Sequence, residues 1–108
     1  MKIAAKKESN ALVVTVSGRM DAVTAPEFEK SIAAFIAQGE KAFVINLGGL
    51  EYISSAGLRS VLLLGKTLQD KGGALRLANL GGMVTQVFEL SGFSALFPTF
   101  DSVASAIL

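Results

Sequence analysis

Apolar and polar positions follow two rhythms along the chain. In residues 11–17 (ALVVTVS), Leu12, Val14 and Val16 alternate with Val13, Thr15 and Ser17. That period of two, in a β-branched segment, predicts a strand with one apolar face. Residues 3–7 can pair before it, with Ser9-Asn10 as the turn, and residues 18–21 (GRMD) then leave the sheet. Thr24 suits an N-cap, Pro26 and Glu27 suit a first helical turn, and the spacing from Thr24 to Glu27 fits a capping box. Phe28, Ile32, Phe35 and Ile36 fall at i, i+4, i+7 and i+8, which is one helical face, and Gly39 ends the helix.

The same reading carries through the rest of the chain. Residues 43–47 (FVINL) form a dense apolar strand of the kind buried on both faces of a parallel sheet. Residues 48–53 (GGLEYI) read as a loop. A second helix runs from about Ser55 to Asp70 on Leu58, Val61, Leu62, Leu64 and Leu68; Lys71-Gly72-Gly73 stops it, and residues 74–78 make the next strand. Strand, helix and strand with short links predict a βαβ unit with a right-handed crossover. A third helix over 82–90 turns Val84, Val87 and Phe88 inward and ends at Gly92. The segment 93–100 accommodates a short strand, with Phe93, Phe97 and Phe100 read as core. Asp101 or Ser102 can cap a last helix that uses Val103, Ala104 and Ile107. The predicted fold class is α/β: one domain over 1–108, with a mixed, mostly parallel sheet of four to five strands and about four helices.

Composition narrows the function. A chain of 108 residues holds one core, and with 51% hydrophobic and 18% charged residues it is too apolar to be disordered. No apolar run approaches the ~20 residues of a membrane span. The opening MKIAAKKES lacks a signal-peptide pattern, so a cytoplasmic protein without membrane insertion is expected. Ten basic and nine acidic residues are scattered rather than striped, which argues against nucleic-acid binding. Histidine and cysteine are both absent, so Ser-His-Asp, Cys-His and the usual zinc constellations cannot be built. The chain is therefore not expected to be an enzyme, and no catalytic residue, metal or cofactor is assigned.

In a parallel sheet, functional groups gather beyond the carboxyl ends of the strands. Here that loop ends in Tyr52-Ile53-Ser54-Ser55-Ala56-Gly57-Leu58. Ser54 and Ser55 begin a helix, where free N–H groups and the positive dipole end favour an anion, so a phosphate on either would be tolerated. A plain N-cap is the competing reading. Gly57, costly in a first helical turn, fits either close approach by another molecule or tight helix–sheet packing. Asp21 reads as a solvated loop carboxylate or an alternative cap. The pairs Gly48-Gly49, Gly72-Gly73 and Gly81-Gly82 fit neither the P-loop nor the dinucleotide pattern and are mostly turns.

Taken together, Ser54-Ser55-Ala56-Gly57-Leu58, the strand before it, Gly18-Arg19-Met20-Asp21 with Thr24-Ala25-Pro26, Gly73-Ala74-Leu75-Arg76-Leu77 and Phe88-Glu89-Leu90-Ser91-Gly92-Phe93 resemble the anti-sigma factor antagonists, the stand-alone members of the STAS domain family. In that family the loop typically reads Asp-Ser-Ser/Ala-Gly-Leu, and the residue after the Asp is phosphorylated. The resemblance places Ser54 at the Asp position and makes Ser55 the phosphoacceptor, with Ser54 the alternative. It implies a partner that is both anti-sigma factor and serine kinase, a serine phosphatase that restores the free hydroxyl, and a contact surface of Asp21, Thr24, Ser54, Ser55, Ala56, Gly57 and Leu58. ATP would belong to the kinase, and this chain is expected as a monomer or weak dimer. The alternatives are a non-switching STAS module in a transporter or sensory complex, and a nucleotide-binding module.

Overall fold

A computed structural model describes residues 1–107. The chain opens with a hairpin: β1 (Lys2–Glu8) lies antiparallel to β2 (Ala11–Met20), with Lys2 opposite Ser17 and Glu8 opposite Ala11. Ser9 takes φ +53° in the two-residue turn, a left-handed conformation typical of such hairpins. There follow α1 (Ala25–Ala37), β3 (Ala42–Ile53), α2 (Ser55–Asp70), β4 (Ala74–Ala78), α3 (Gly82–Ser91), a 3-10 turn (Phe93–Ala95), β5 (Thr99–Phe100) and α4 (Val103–Ala106). The sheet order is β1-β2-β3-β4-β5, and every pair beyond β1–β2 is parallel.

The period of two in β2 decides which side chains go where. Leu12, Val14 and Val16 share one face with Phe43, Ile45, Leu75 and Leu77, where α1, α2 and α3 cover them with Phe28, Ile32, Val61, Leu68, Val84 and Phe88. Val13, Val44 and Ala78 point the other way, into a smaller core closed by Ala106 of α4 with Phe100, Val103 and Ile107. Burying a side chain the size of Phe28 or Phe88, both fully enclosed, contributes about 1.5–3 kcal/mol. Phe93 and Phe97 pack against the larger core and Phe100 against the smaller one, as their aromatic character predicts. In α4 Val103 and Ala106 turn inward, whereas Ala104 is exposed. Ser102 is the cap, its Oγ accepting from the Ser105 N–H at 3.1 Å.

Two boundaries differ from the sequence expectation. β2 continues past Ser17 to Met20, and β3 continues through 48–53, where a loop was expected. The glycines and polar residues in both stretches mask the pairing, which survives through two register shifts, one between Thr15 and Ser17 and one between Gly18 and Arg19. Gly18 sits at φ +95°, open to glycine at little cost, and lets β2 bend back into register. The extension matters for function because it carries the ends of β2 and β3 out together to the same point.

Candidate functional site

Met20 pairs with Ile53, and the Ser54 N–H donates to Met20 O at 2.9 Å. Asp21 and Ser54 therefore leave the sheet from adjacent parallel strands, beyond the carboxyl ends. Ser54 is extended (φ −92°, ψ 175°), and its Oγ accepts from the Gly57 N–H at 3.3 Å while its carbonyl accepts from the Leu58 N–H at 2.9 Å. Ser54 is thus the N-cap, which leaves Ser55 as the first helical residue with an exposed side chain.

The residues around Ser55 are anchored inward. Ile53 and Leu58 are both buried in the larger core. Gly57 is buried too: a Cβ there would lie 2.8 Å from both Met20 O and Ile53 Cγ1, and 3.0 Å from Met20 Cγ. Of the two readings open for Gly57, tight helix–sheet packing is the one the geometry supports. Leu58, expected at a contact surface, is instead a core residue. What the loop presents outward is Ser55, the half-buried Ser54 and Ala56, and Arg59 one turn on.

The turn leading into α1 is built differently. Thr24 precedes the helix but has helical angles (φ −93°, ψ −22°) and its side chain caps nothing, so the expected capping box does not form. Its Oγ1 accepts from the Asp21 N–H at 2.9 Å and donates to Arg19 O at 2.9 Å. The cap is Asp21. Oδ1 of Asp21 accepts the N–H groups of Val23 at 3.0 Å and Thr24 at 3.1 Å, and the Asp21 carbonyl accepts from Ala25 at 2.8 Å. The turn is already helical by Thr24, so the free donors lie one turn earlier than Pro26 suggests. The Thr24 N–H is the main force holding the Asp21 carboxyl below the usual carboxylate range. Partial desolvation opposes it, while the Val23 N–H, the Thr24 hydroxyl and the Arg19 charge add to the lowering.

Several neighbours were not singled out from the sequence. Arg19 lies 4.2 Å from the centroid of the Tyr52 ring, with its Nε 4.0 Å from Asp21 Oδ2. That pairing follows from the extended β2–β3 register, which the glycines hide. Val23 is 85% exposed beside the Asp21 cap, an apolar side chain left in solvent at the rim of the site. Arg59 has a visible signal, its spacing of four from Ser55 on a predicted helix. Among the described residues, no helix is long and apolar enough to cross a membrane, and no three His, Cys, Asp or Glu side chains converge as a metal site.

The model of the STAS domain matches residues 2–106. BtrV of Bordetella bronchiseptica, which carries the name of an anti-sigma factor antagonist, is 41% identical over 106 residues, 98% of this chain and 91% of its own. An anti-sigma factor antagonist from Mycobacterium paratuberculosis superposes with a TM-score of 0.89 at 28% identity, over 98% of this chain and 90% of that one. The antagonist SpoIIAA shares the fold in its unphosphorylated form (TM-score 0.84, 22% identity, 98% and 93% of the two chains). It does so also in the phosphorylated form from Bacillus (TM-score 0.77, 21% identity, 98% and 96%). With a family match over nearly its whole length and a relative this similar, the chain belongs to the STAS domain family.

Proposed function

We propose that this protein is a cytoplasmic anti-sigma factor antagonist that binds an anti-sigma factor with serine-kinase activity and is released when that kinase phosphorylates Ser55. A serine phosphatase would return it to the binding state, and the protein itself acts by binding and not by catalysis. The observation that carries this reading is the contrast at the start of α2: Ser55 is exposed while Ile53, Gly57 and Leu58 around it are locked into the core. A kinase can reach the hydroxyl without disturbing the fold. The names of the relatives support the partner class.

Charge is the switch in this reading. The unmodified surface offers neutral Ser54, Ser55 and Ala56, with Val23 as an apolar neighbour at the rim, and can be desolvated against a partner. A phosphoserine adds nearly two negative charges. At an effective dielectric of ~20, one unit-charge repulsion at 4 Å is about 4 kcal/mol, and each 1.4 kcal/mol is tenfold in affinity. The helix N-terminus accommodates the phosphate, so the domain stays folded while the partner leaves. SpoIIAA keeps its fold in both forms, which is consistent with that expectation.

The test is intact-mass analysis and peptide mapping after incubation with ATP and the candidate kinase. One phosphoryl group on Ser55, absent in Ser55→Ala, is the expected result. Modification of Ser54 alone would move the switch by one residue. No addition from any candidate kinase active on a control substrate would overturn the proposal.

A further inference from the structure

Ser55 opens α2, and Arg59 stands four residues later on the same helix, both exposed. Residues at i and i+4 are neighbours on a helix surface, and an anion placed N-terminal to the cation is the favourable orientation. Arg59 makes no ion pair or hydrogen bond among the described residues, unlike Arg19, which sits over Tyr52 and near Asp21. Its helix places no carboxylate within one turn of it. The positions three and four residues away are Ala56, Ser55, Leu62 and Leu63, and the first turn of α2 holds no acidic residue. Two carboxylates on neighbouring elements are engaged elsewhere: Asp21 with the N–H groups of Val23 and Thr24, and Glu29 of α1 with the Ser60 hydroxyl.

We propose that Arg59 is an intramolecular clamp for the phosphate on Ser55. On phosphorylation its guanidinium turns one helical turn back and donates to the phosphate oxygens, with the planar fork suited to two parallel hydrogen bonds. Phosphorylation then does two things at the contact surface. It adds an anion, and it ties up a cation that the unmodified protein displays freely. The clamp rests on the reading of Ser55 as phosphoacceptor, but it is a property of the modified chain alone and needs no kinase to be observed.

The test installs phosphoserine at position 55 by genetic encoding and follows the phosphate by 31P NMR through its second ionisation, near pH ~6. The apparent pKa should be lower in the otherwise wild-type protein than in Arg59→Gln, by about 0.3 unit for an exposed i, i+4 ion pair. Arg59→Lys should retain most of the lowering, because the charge remains. Lys66→Gln, further along α2 and at the wrong spacing, should leave the value unchanged. An identical pKa in wild type and Arg59→Gln would overturn the clamp. So would equal shifts from Arg59→Gln and Lys66→Gln, which would mean a diffuse field and no specific pair. Failure of the kinase to modify Ser55 would be seen separately, by mass, and would count against the phosphorylation reading while leaving the clamp result interpretable.

Discussion

The starts of α1 and α2 lie side by side, beyond the ends of neighbouring parallel strands, yet they satisfy their free N–H groups in opposite ways. At α1 the cap is a carboxylate: Asp21 takes two backbone N–H groups and its ionised form is favoured. At α2 the cap is a neutral hydroxyl with one bond of 3.3 Å, and no acidic residue stands in the first turn. One helix end already holds its anion; the other is left without one and displays a serine. The difference teaches that a helix N-terminus is an electrostatic position that can be filled permanently or left to be filled on demand.

The largest expected effect comes from filling the second position. Ser55→Asp should weaken binding to the kinase partner by roughly 100-fold, because about 70% of one close charge repulsion of ~4 kcal/mol supplies the ~2.8 kcal/mol this needs. Its thermal midpoint should match or slightly exceed that of wild type, since an acidic residue in the first turn is favourable. Isothermal titration against the partner, with calorimetric melting alongside, separates the two. Normal binding by Ser55→Asp would remove charge as the basis of the switch.

Next in size is the packing that holds the α2 start in place. Gly57→Ala would put a Cβ 2.8 Å from the backbone oxygen of Met20, an atom that cannot rotate away. Overpacking of this kind costs about 1–3 kcal/mol, against a gain of ~1 kcal/mol in helix propensity, so a net loss of up to about 2 kcal/mol is expected in urea unfolding. An unchanged midpoint with weakened partner binding would return Gly57 to the contact surface. This residue marks the limit of what the sequence could say. Its presence in a first turn was visibly unfavourable, but whether the reason lay inside or outside the domain depends on where Met20 O ends up.

The same limit explains the other differences. α2 and β4 begin and end at the expected residues, because the apolar spacing of Leu58, Val61, Leu64 and Leu68 and the glycines after Lys71 act locally. Residues 48–53 were illegible as a strand because their pairing with residues 17–20 is set across the sheet and survives two register shifts. Thr24 looked like a cap because Pro26 and Glu27 follow it. The turn from Asp21 is decided by hydrogen bonds that no spacing rule for the helix itself contains. Leu58 was legible as apolar, but its apolar character alone could not tell core from contact. The serine loop was legible as a motif. Its inward anchoring was not.

Removing the permanent anion tests the first half of the comparison. Asp21→Asn keeps an acceptor oxygen but loses the charge. The sign follows from the lowered carboxyl: its stabilisation is fully present above the unfolded value of 3.8 and is lost as pH falls through the lower folded value. The melting midpoint of Asp21→Asn should therefore lie below that of wild type near neutral pH, and the two should converge in acid below that range. A gap that stayed constant down to the acid limit would mean that the oxygen's geometry, and not its charge, holds the α1 turn.

The smallest effect makes the two helix starts alike. Ser54→Asp replaces the neutral cap by a charged one, and cap preferences for Ser and Asp are nearly equal, so the change is chiefly the dipole interaction, about 0.3–1 kcal/mol. The unmodified protein should be more stable to urea by that amount. With phosphoserine at 55 the new carboxylate sits one residue from the phosphate, so the stabilisation should largely cancel and the second phosphate pKa should rise, because the like charge disfavours the dianion. Equal stabilisation of both forms would show that the two anions do not compete for the helix end. The neutral cap at Ser54 would then have no part in making room for the phosphate.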